Sequence, residues 1–126
     1  MRYMLLIYED EAIWERITAA AAAAIWQEVG EFVSELRQRG VHIAGAPLLP
    51  TCTATTVRMR DGKVLLTDGP FAETKEQLAG YGIVDVESLE EAVAIAERHP
   101  GVLAGRHAVE VRPISQLSYP PSHPVV

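Results

Sequence analysis

The sequence predicts a single α+β domain in which two helices pack against one antiparallel sheet. Three observations lead to this fold class. A continuous apolar run lies near the N-terminus, two segments repeat their apolar residues every three or four positions, and short β-branched runs lie between and after them. The length of 126 residues, with 48% hydrophobic and 22% charged residues, is typical of one ordinary globular domain.

The first strand and the first helix are predicted at Tyr3–Tyr8 and Ala12–Arg39. The strand is apolar throughout and rich in strand formers, which is typical of a buried central strand. The helix carries an apolar face and an alanine run that strongly favours helix. Trp14 and Trp26 are interpreted as packing residues of that face. Gly40 is suited to end the helix, because glycine adopts the left-handed conformation of a C-cap.

A strand at Val41–Leu48 and a β-hairpin come next. The hairpin strands are Thr53–Arg60 and Val64–Thr67, which are rich in β-branched and apolar residues. Asp61-Gly62 lies between them, and an Asp-Gly pair in this position is the strongest short-range signal of a hairpin turn.

The remaining elements follow a Gly-Pro turn. Thr74 and Gln77 fit a capping box and predict about one helical turn. A strand is predicted at Gly80–Val86, then a helix from Ser88 to His99 that opens on a second capping box and stops at a Pro-Gly pair. His107–Val111 alternates as the last strand.

Without the hairpin, this order is the ferredoxin-like βαββαβ arrangement, so we predict that fold with an inserted β-hairpin. Both helices then lie on one face of the sheet, while the strand sequences are apolar on both sides. The chain has no element left to cover the second face. A second copy of the chain is the economical cover, and we therefore predict a homodimer packed face to face.

Composition excludes several function classes. The net charge of −6 argues against a nucleic-acid partner, since such proteins normally carry a basic surface. Cys52 is the one cysteine, so a disulfide-built secreted scaffold is excluded. The apolar run Ala19–Ile25 is well below the ~18 residues of a membrane span, and no signal-peptide core is present. We expect a cytoplasmic protein without a membrane partner.

The segment Thr67–Glu76 reads TDGPFAETKE and resembles the YCII-related domain family in its DGPF-motif branch. The resemblance covers residues 1–113 and leaves 114–126 as a Pro-rich C-terminal tail. It implies a dimeric α/β barrel with a cleft between sheet, hairpin and partner subunit, and it implies no established reaction. Some relatives resemble small dehalogenase-type enzymes, and DGPF members often occur beside extracytoplasmic-function sigma factors. Four further segments match in order: Met1–Tyr8, Thr53–Arg58, Gln77–Tyr81 and Val109–Pro113.

The sequence departs from this family at one place that matters for chemistry. The YCII branch proper places a catalytic histidine and aspartate on or just after the first helix. Between Trp14 and Gly40 this chain has neither residue type. Any activity must therefore use other groups.

Asp68 is the first candidate for such a group. As a functional residue it is the general base at the end of a strand that faces the cleft, with Lys75 holding an anionic part of the substrate. As a structural residue it accepts backbone N–H bonds from the turn after it, while Phe71 anchors the loop in the core. Glu73 and Lys75 then belong to a solvated face. Tyr81 is either a ligand-binding aromatic or a core residue.

Histidines are the second group of candidates. His42 and His107 stand in predicted strands, where each is either a proton-transfer group at the cleft or a partly buried residue bonded to a neighbour. His99 is expected at a helix C-terminus, where a positive charge suits the helix dipole. No two histidines have the spacing of a metal motif and no nucleotide-binding motif is present, so we expect no metal and no cofactor.

Three functions fit these features. The first is a small-molecule-binding or regulatory module associated with an extracytoplasmic-function sigma factor system. The second is a cofactor-free small enzyme, dehalogenase-, lyase- or isomerase-like, that uses Asp68 as general base with Lys75 or His42 assisting. The third is a structural interaction protein. The enzyme requires Asp68 and at least one other ionisable side chain to converge on a cavity, the binding module requires the cavity alone, and the interaction protein requires an exposed apolar patch beyond the dimer surface.

Overall fold

The computed structural model describes residues 1–116, so all but the first three residues of the tail predicted at 114–126 lie outside the described part of the chain. Within residues 1–116 the six strands occur in the predicted order, whereas four helices are present where two were predicted, and the last of them begins at the Pro-Gly pair that was expected to stop a helix. A single 3₁₀ turn, Thr51–Thr53, precedes the hairpin. The elements are β1 (Arg2–Glu9), α1 (Ile13–Arg16), α2 (Ala19–Gln38), β2 (His42–Pro47), β3 (Thr55–Arg60), β4 (Lys63–Asp68), β5 (Gln77–Asp85), α3 (Leu89–Glu97), α4 (Pro100–Leu103) and β6 (His107–Pro113).

The sheet has the order β2-β5-β1-β6, and every neighbouring pair is antiparallel. This is the strand order of the ferredoxin-like fold, so the predicted α+β class is confirmed. The hairpin β3-β4 forms a separate two-stranded sheet. Its turn residues Asp61 and Gly62 have φ of 52° and 73°, as a type I′ turn requires.

The helices cover one face of the sheet, and the core lies beneath them. Odd-numbered residues of β1 point into it, because side chains alternate along a strand. The largest fully buried side chains are Ile95 on α3 and Val84 on β5. The core consists of Tyr3, Leu5, Phe32, Leu36, Val84, Val86, Ala92, Ile95 and Ala96.

The second face of the sheet carries no helix in residues 1–116. Strand alternation assigns the side chains of Met4, Leu6 and Tyr8 to it, and Tyr81 and Ile83 lie opposite the first two in register. These apolar side chains are half-buried. We call them the helix-free face. The hairpin adds large exposed side chains to the surface, Val57, Met59, Val64 and Leu66, which are 60–71% exposed.

The predicted long helix is two helices, and the reason is a local cap. Ile17 is extended, and the Thr18 side chain accepts a hydrogen bond from the Ala21 N–H at 3.1 Å. A threonine in this position satisfies an unpaired N–H at a helix start, so α2 begins anew. At the other end, Gly40 ends α2 as predicted: its N–H bonds Arg37 O, and Val41 N–H bonds Leu36 O.

The helical turn predicted from Thr74 and Gln77 is wrong. Gln77 begins β5, and its side-chain oxygen accepts a 3.0 Å hydrogen bond from the Glu11 backbone N–H. Strand pairing and this contact outweigh the local capping signal. The second predicted capping box is confirmed, because Ser88 Oγ accepts a hydrogen bond from the Glu91 N–H at 3.2 Å. None of the helices within residues 1–116 is long and apolar enough to cross a membrane.

Candidate functional site

A cavity of about 380 Å³ lies between α2 and the β2-β5 half of the sheet. Its floor is built from glycines. Gly45 and Gly82 are register partners across β2 and β5, and Gly80 lies two residues before Gly82 on the same face of β5. A Cβ at Gly82 would come no closer than 3.9 Å to Leu5, so the space above it is open. The missing side chain of Gly82 therefore leaves room for a small molecule against the sheet, whereas Gly45 and Gly80 allow the strands to approach, because a Cβ there would lie 2.9 or 3.1 Å from a backbone carbonyl oxygen.

The walls of the cavity are mostly apolar. Ile25, Val29 and Val33 contribute from α2, as the apolar periodicity of that helix predicts. Trp14 on α1 and Trp26 on α2 stack at one side, with ring centroids 5.5 Å apart and planes 13° apart. Trp26 is 48% exposed, so the pair joins the cavity to the surface. Two stacked indoles offer a flat apolar wall to a ring-shaped ligand.

The polar groups of the cavity centre on Glu9 at the end of β1. Its Oε2 lies 2.7 Å from Nε2 of His107, and its Oε1 accepts a 2.7 Å hydrogen bond from Nε1 of Trp14. Glu9 and His107 are register partners on β1 and β6. Both side chains are less than 10% exposed, and all three residues border the cavity. The sheet register therefore holds an ionisable pair inside an apolar site.

Burial of the Glu9 carboxylate would raise its pKa, since a charged group loses water there. The hydrogen bonds from His107 and Trp14 and the charges of His107 and Arg106 act in the opposite direction. Together they bring the pKa of Glu9 below its ordinary value. Glu9 is therefore an anion at neutral pH, and it is a hydrogen-bond acceptor toward the cavity.

His99 also borders the cavity and directly follows the C-cap of α3, where the sequence placed it, but its role there differs from the prediction. It caps the N-terminus of α4, where its Nδ1 accepts a 3.0 Å hydrogen bond from the Gly101 N–H. Burial first, and then the charges of His107 and Arg106, lower the pKa of His99 to about 4. The ring is thus neutral at pH 7 and does not supply the positive charge expected at a helix C-terminus.

The ring of His107 is packed tightly against Gly101. A Cβ on Gly101 would lie 1.9 Å from Nδ1 of His107, so only glycine fits. That Nδ1 is buried and has no hydrogen-bond partner in the described chain. The Pro-Gly pair predicted to stop a helix thus has a second role, because it makes room for the imidazole that binds Glu9.

The predicted candidates separate into two groups. His42 and His107 border the cavity, and burial, with the charge of Arg37, lowers the pKa of His42. Tyr81 also borders it, although strand alternation assigns its side chain to the helix-free face. Asp68 is exposed at the end of β4 and is not among the residues that border the cavity.

Neither interpretation of Asp68 finds its partner among the residues that the structure describes. Among residues 1–116 its carboxylate accepts no hydrogen bond, and the turn N–H of Gly69 bonds Ala54 O instead. Glu73 and Lys75 are exposed. Phe71 is 74% exposed beneath the Arg58 guanidinium, 5.2 Å from the ring centroid, so the expected anchor in the core is wrong. The loop closes on its own hairpin and not on the core.

Sequence reasoning missed Glu9, Trp14 and His99 as members of the site. One signal was present: Glu9 falls on the same alternating face as Tyr3 and Leu5, so a carboxylate continues an apolar core face. A carboxylate in such a position needs a buried partner. Which residue supplies that partner depends on the register of β6, which local patterns do not contain. No metal-binding group of three His, Cys, Asp or Glu side chains is found in the described part of the chain.

The chain is similar to known proteins both in sequence and in fold. The family model described as the YCII-related domain matches residues 1–118. An uncharacterised protein of Rhizobium meliloti is 32% identical over 115 residues, covering 91% of this chain and 93% of that protein. A solved structure, 5-chloro-2-hydroxyhydroquinone dehydrochlorinase (TftG) from Burkholderia phenoliruptrix in complex with 2,5-dihydroxybenzoquinone, has a TM-score of 0.52 at 18% identity. It covers 91% of this chain and 94% of that one, and this likeness is one of fold.

Proposed function

Because the chain belongs to the YCII-related domain family and its likeness to the dehydrochlorinase is one of fold, we propose a function from the cavity itself. We propose that the protein is a cofactor-free enzyme that moves a proton on a small, planar, hydroxylated ring compound. The observation that carries this proposal is the buried Glu9–His107 pair, 2.7 Å apart, at an apolar cavity. Paired ionisable groups in such a cavity are typical of acid–base catalysis.

Glu9 is the base of this proposal. Each carboxylate oxygen can accept two hydrogen bonds, and each already accepts one, from Trp14 or His107. One acceptor position on each oxygen is left for a ligand hydroxyl. The carboxylate takes the hydroxyl proton and returns it elsewhere on the ring in an isomerisation. In an elimination, the proton returned to the halogen-bearing ring carbon makes that carbon tetrahedral, and the loss of a second hydroxyl proton then expels halide and leaves a quinone.

The rest of the cavity supports a ring-shaped substrate. Its volume of about 380 Å³ suits a small molecule, and the Trp14–Trp26 pair forms a flat apolar wall. The ligand in the dehydrochlorinase structure, 2,5-dihydroxybenzoquinone, belongs to the same chemical class. Glu9 takes the role first predicted for Asp68 because Glu9 borders the cavity and Asp68 does not.

We propose a homodimer as the working form, as the uncovered sheet predicted. The helix-free face and the exposed apolar side chains of the hairpin support it, since such surface is normally buried in an interface. Sedimentation or light scattering of the purified protein tests it. A dimer that dissociates when Leu66→Lys is introduced supports the proposal, and a wild-type monomer excludes it.

A binding or regulatory module is the second candidate, and the lowered pKa of Glu9 favours it. A carboxylate held by two hydrogen bonds is a weak base, but it remains a good acceptor for a ligand hydroxyl. In this form the protein would bind the same ring compound without converting it. Association with a sigma-factor pathway stays a prediction of the resemblance.

The test compares wild type with Glu9→Gln, Asp68→Asn and the surface control Glu90→Gln. Each is incubated with 2,5-dihydroxybenzoquinone, and with chlorinated and unchlorinated hydroxyhydroquinones. Binding is followed by tryptophan fluorescence, and turnover by absorbance and chloride release. We expect Glu9→Gln to lose at least 100-fold in turnover and the other two variants to match wild type. Binding without turnover in wild type selects the binding module.

Loss of turnover in Asp68→Asn alone would return the base to Asp68. An absence of binding to any of these compounds would exclude both candidates for this ligand class. Far-UV circular dichroism of each variant separates a lost function from a lost fold.

A further inference from the structure

His99 is a buried polar residue that the proton transfer proposed above does not use. It is 5% exposed, and its ring borders the cavity beside Glu9 and His107. The ring is held on two sides: Phe32 meets it edge-on with centroids 5.4 Å apart, and His107 lies 5.2 Å away at a tilt of 52°. Packing on both sides fixes the direction in which its second nitrogen points.

The hydrogen bond to Nδ1 determines the tautomer of His99. Nδ1 accepts the Gly101 N–H at 3.0 Å, and a nitrogen that accepts a hydrogen bond carries no proton of its own. In a neutral imidazole the proton must then lie on Nε2. The backbone of α4 therefore sets His99 as an Nε2–H donor, in the way that a second interaction usually decides which histidine nitrogen is protonated.

Nε2 of His99 is open to the cavity. It makes no hydrogen bond within residues 1–116, and it is not among the buried polar atoms that lack a partner. It therefore keeps accessible surface, and the space that the ring borders is the cavity. Because no acceptor for this donor is found among the described residues, a ligand atom can take its hydrogen bond.

We propose, resting on the function proposed above, that His99 is the fixed hydrogen-bond donor for the substrate, presenting Nε2–H to a carbonyl or phenolate oxygen of the ring compound. Glu9 accepts a proton from one ring hydroxyl, and the negative charge that this leaves on the ring is shared with a second oxygen. That oxygen takes the His99 hydrogen bond. A preorganised donor in a dry site stabilises such developing charge.

The charged surroundings keep His99 in this role. His107 and Arg106 oppose a positive charge on its ring, and burial does the same. The neutral donor therefore persists across the physiological pH range, and it does not hand its proton to the ligand. A neutral imidazole used as an electrophile is an established catalytic device.

The first measurement is ¹⁵N NMR of the histidine side chains in the ligand-free protein. We expect His99 to show a protonated Nε2 and an unprotonated Nδ1. The opposite tautomer, or a mixture of the two, would overturn the proposal before any ligand is added.

The second measurement uses matched variants. His99→Asn keeps an oxygen at the position of Nδ1 and is a good N-cap, but it has no donor at the position of Nε2. His99→Gln offers a donor near Nε2 and loses the cap. The probes are 2,5-dihydroxybenzoquinone and toluene, a ring without oxygen.

We expect His99→Asn to bind 2,5-dihydroxybenzoquinone roughly 10- to 100-fold more weakly than wild type. It should lose much less affinity for toluene than for the quinone, and His99→Gln should recover part of the lost quinone affinity. Equal affinity of wild type and His99→Asn for the quinone overturns this inference alone. If wild type binds neither probe, the proposed function fails and the inference fails with it.

Discussion

Glu9 and His107 lie opposite each other on β1 and β6, and their side chains are joined at 2.7 Å beside a cavity whose walls are mostly apolar. The two residues are 98 positions apart in the chain. Antiparallel pairing of the first and last strands brings them together, and Trp14 holds the other carboxylate oxygen. The site is therefore assembled by sheet topology and not by a local motif.

The contact between Gly101 and His107 is tested by Gly101→Ala. The added methyl group would overlap the His107 ring, at 1.9 Å from Nδ1, so the ring must move away from Glu9. We expect a loss of about 2–4 kcal/mol in the free energy of unfolding, because the buried carboxylate loses a partner. Urea unfolding measures it. Gly105→Ala is a poor control because its φ is +73°, so Leu103→Ala on the exposed side of α4 serves instead. An unchanged stability would refute the tight contact.

The glycine floor is tested by Gly82→Leu. Open space lies above Gly82, with Leu5 3.9 Å from an added Cβ, so the new side chain should occupy the cavity without a backbone clash. We expect the protein to fold and to lose the binding of 2,5-dihydroxybenzoquinone and of toluene. Gly45→Ala is the contrasting variant, since its Cβ would lie 2.9 Å from the Tyr81 carbonyl oxygen and must displace backbone. Calorimetric titration with thermal unfolding distinguishes the two, and retained binding in Gly82→Leu would place the ligand elsewhere.

The low pKa of His99 predicts that stability falls on acidification. Above pH 6.5 His99 is neutral in both the folded and the unfolded state and contributes no pH dependence. Between pH 6.5 and about 4 the unfolded chain takes up a proton that the folded chain rejects, so stability decreases as pH falls. The full loss is on the order of 3 kcal/mol below pH 4. His42 acts in the same direction.

Unfolding by urea at pH 7, 6, 5 and 4.5 measures this slope, and His99→Asn should reduce it. Glu9 does not explain a loss of stability in this pH window. Its lowered pKa stabilises the folded protein above the ordinary carboxyl pKa of 4.5, and that stabilisation is lost only as the pH falls from about 4.5 downward. A slope that His99→Asn leaves unchanged would assign the effect to another group.

Gly30 lies in the interior of α2, where glycine is unfavourable. A Cβ at this position meets nothing within 4 Å, so Gly30→Ala should stabilise the protein by about 0.5–1 kcal/mol through helix propensity alone. Gly40→Ala is the opposite case, because Gly40 ends α2 with a φ of +73° that alanine adopts with strain. Thermal unfolding of both variants checks the two signs. If Gly30→Ala is destabilising, position 30 is packed more closely than the structure shows.

Local sequence signals predicted the α+β class, the order of the strands in residues 1–116, the hairpin turn at Asp61-Gly62 and the end of α2 at Gly40. Those features follow from hydrophobic periodicity and from glycine conformations, which act over a few residues. The same local signals failed at Thr18 and at Gln77. In the first case a hydroxyl cap restarted the helix, and in the second a contact with Glu11 drew the segment into β5.

The tertiary structure alone decided which side chains meet in the cavity. It paired Glu9 with His107 across β1 and β6, set the tautomer of His99 through Gly101, and kept Asp68 at the surface of the hairpin. Local signals and tertiary contacts join residues that are separated by very different distances along the chain. Periodicity and capping are set by neighbours three or four residues apart, whereas a shift of one residue in the register of β6 would turn His107 to the other face of the sheet and leave the Glu9 carboxylate without its partner.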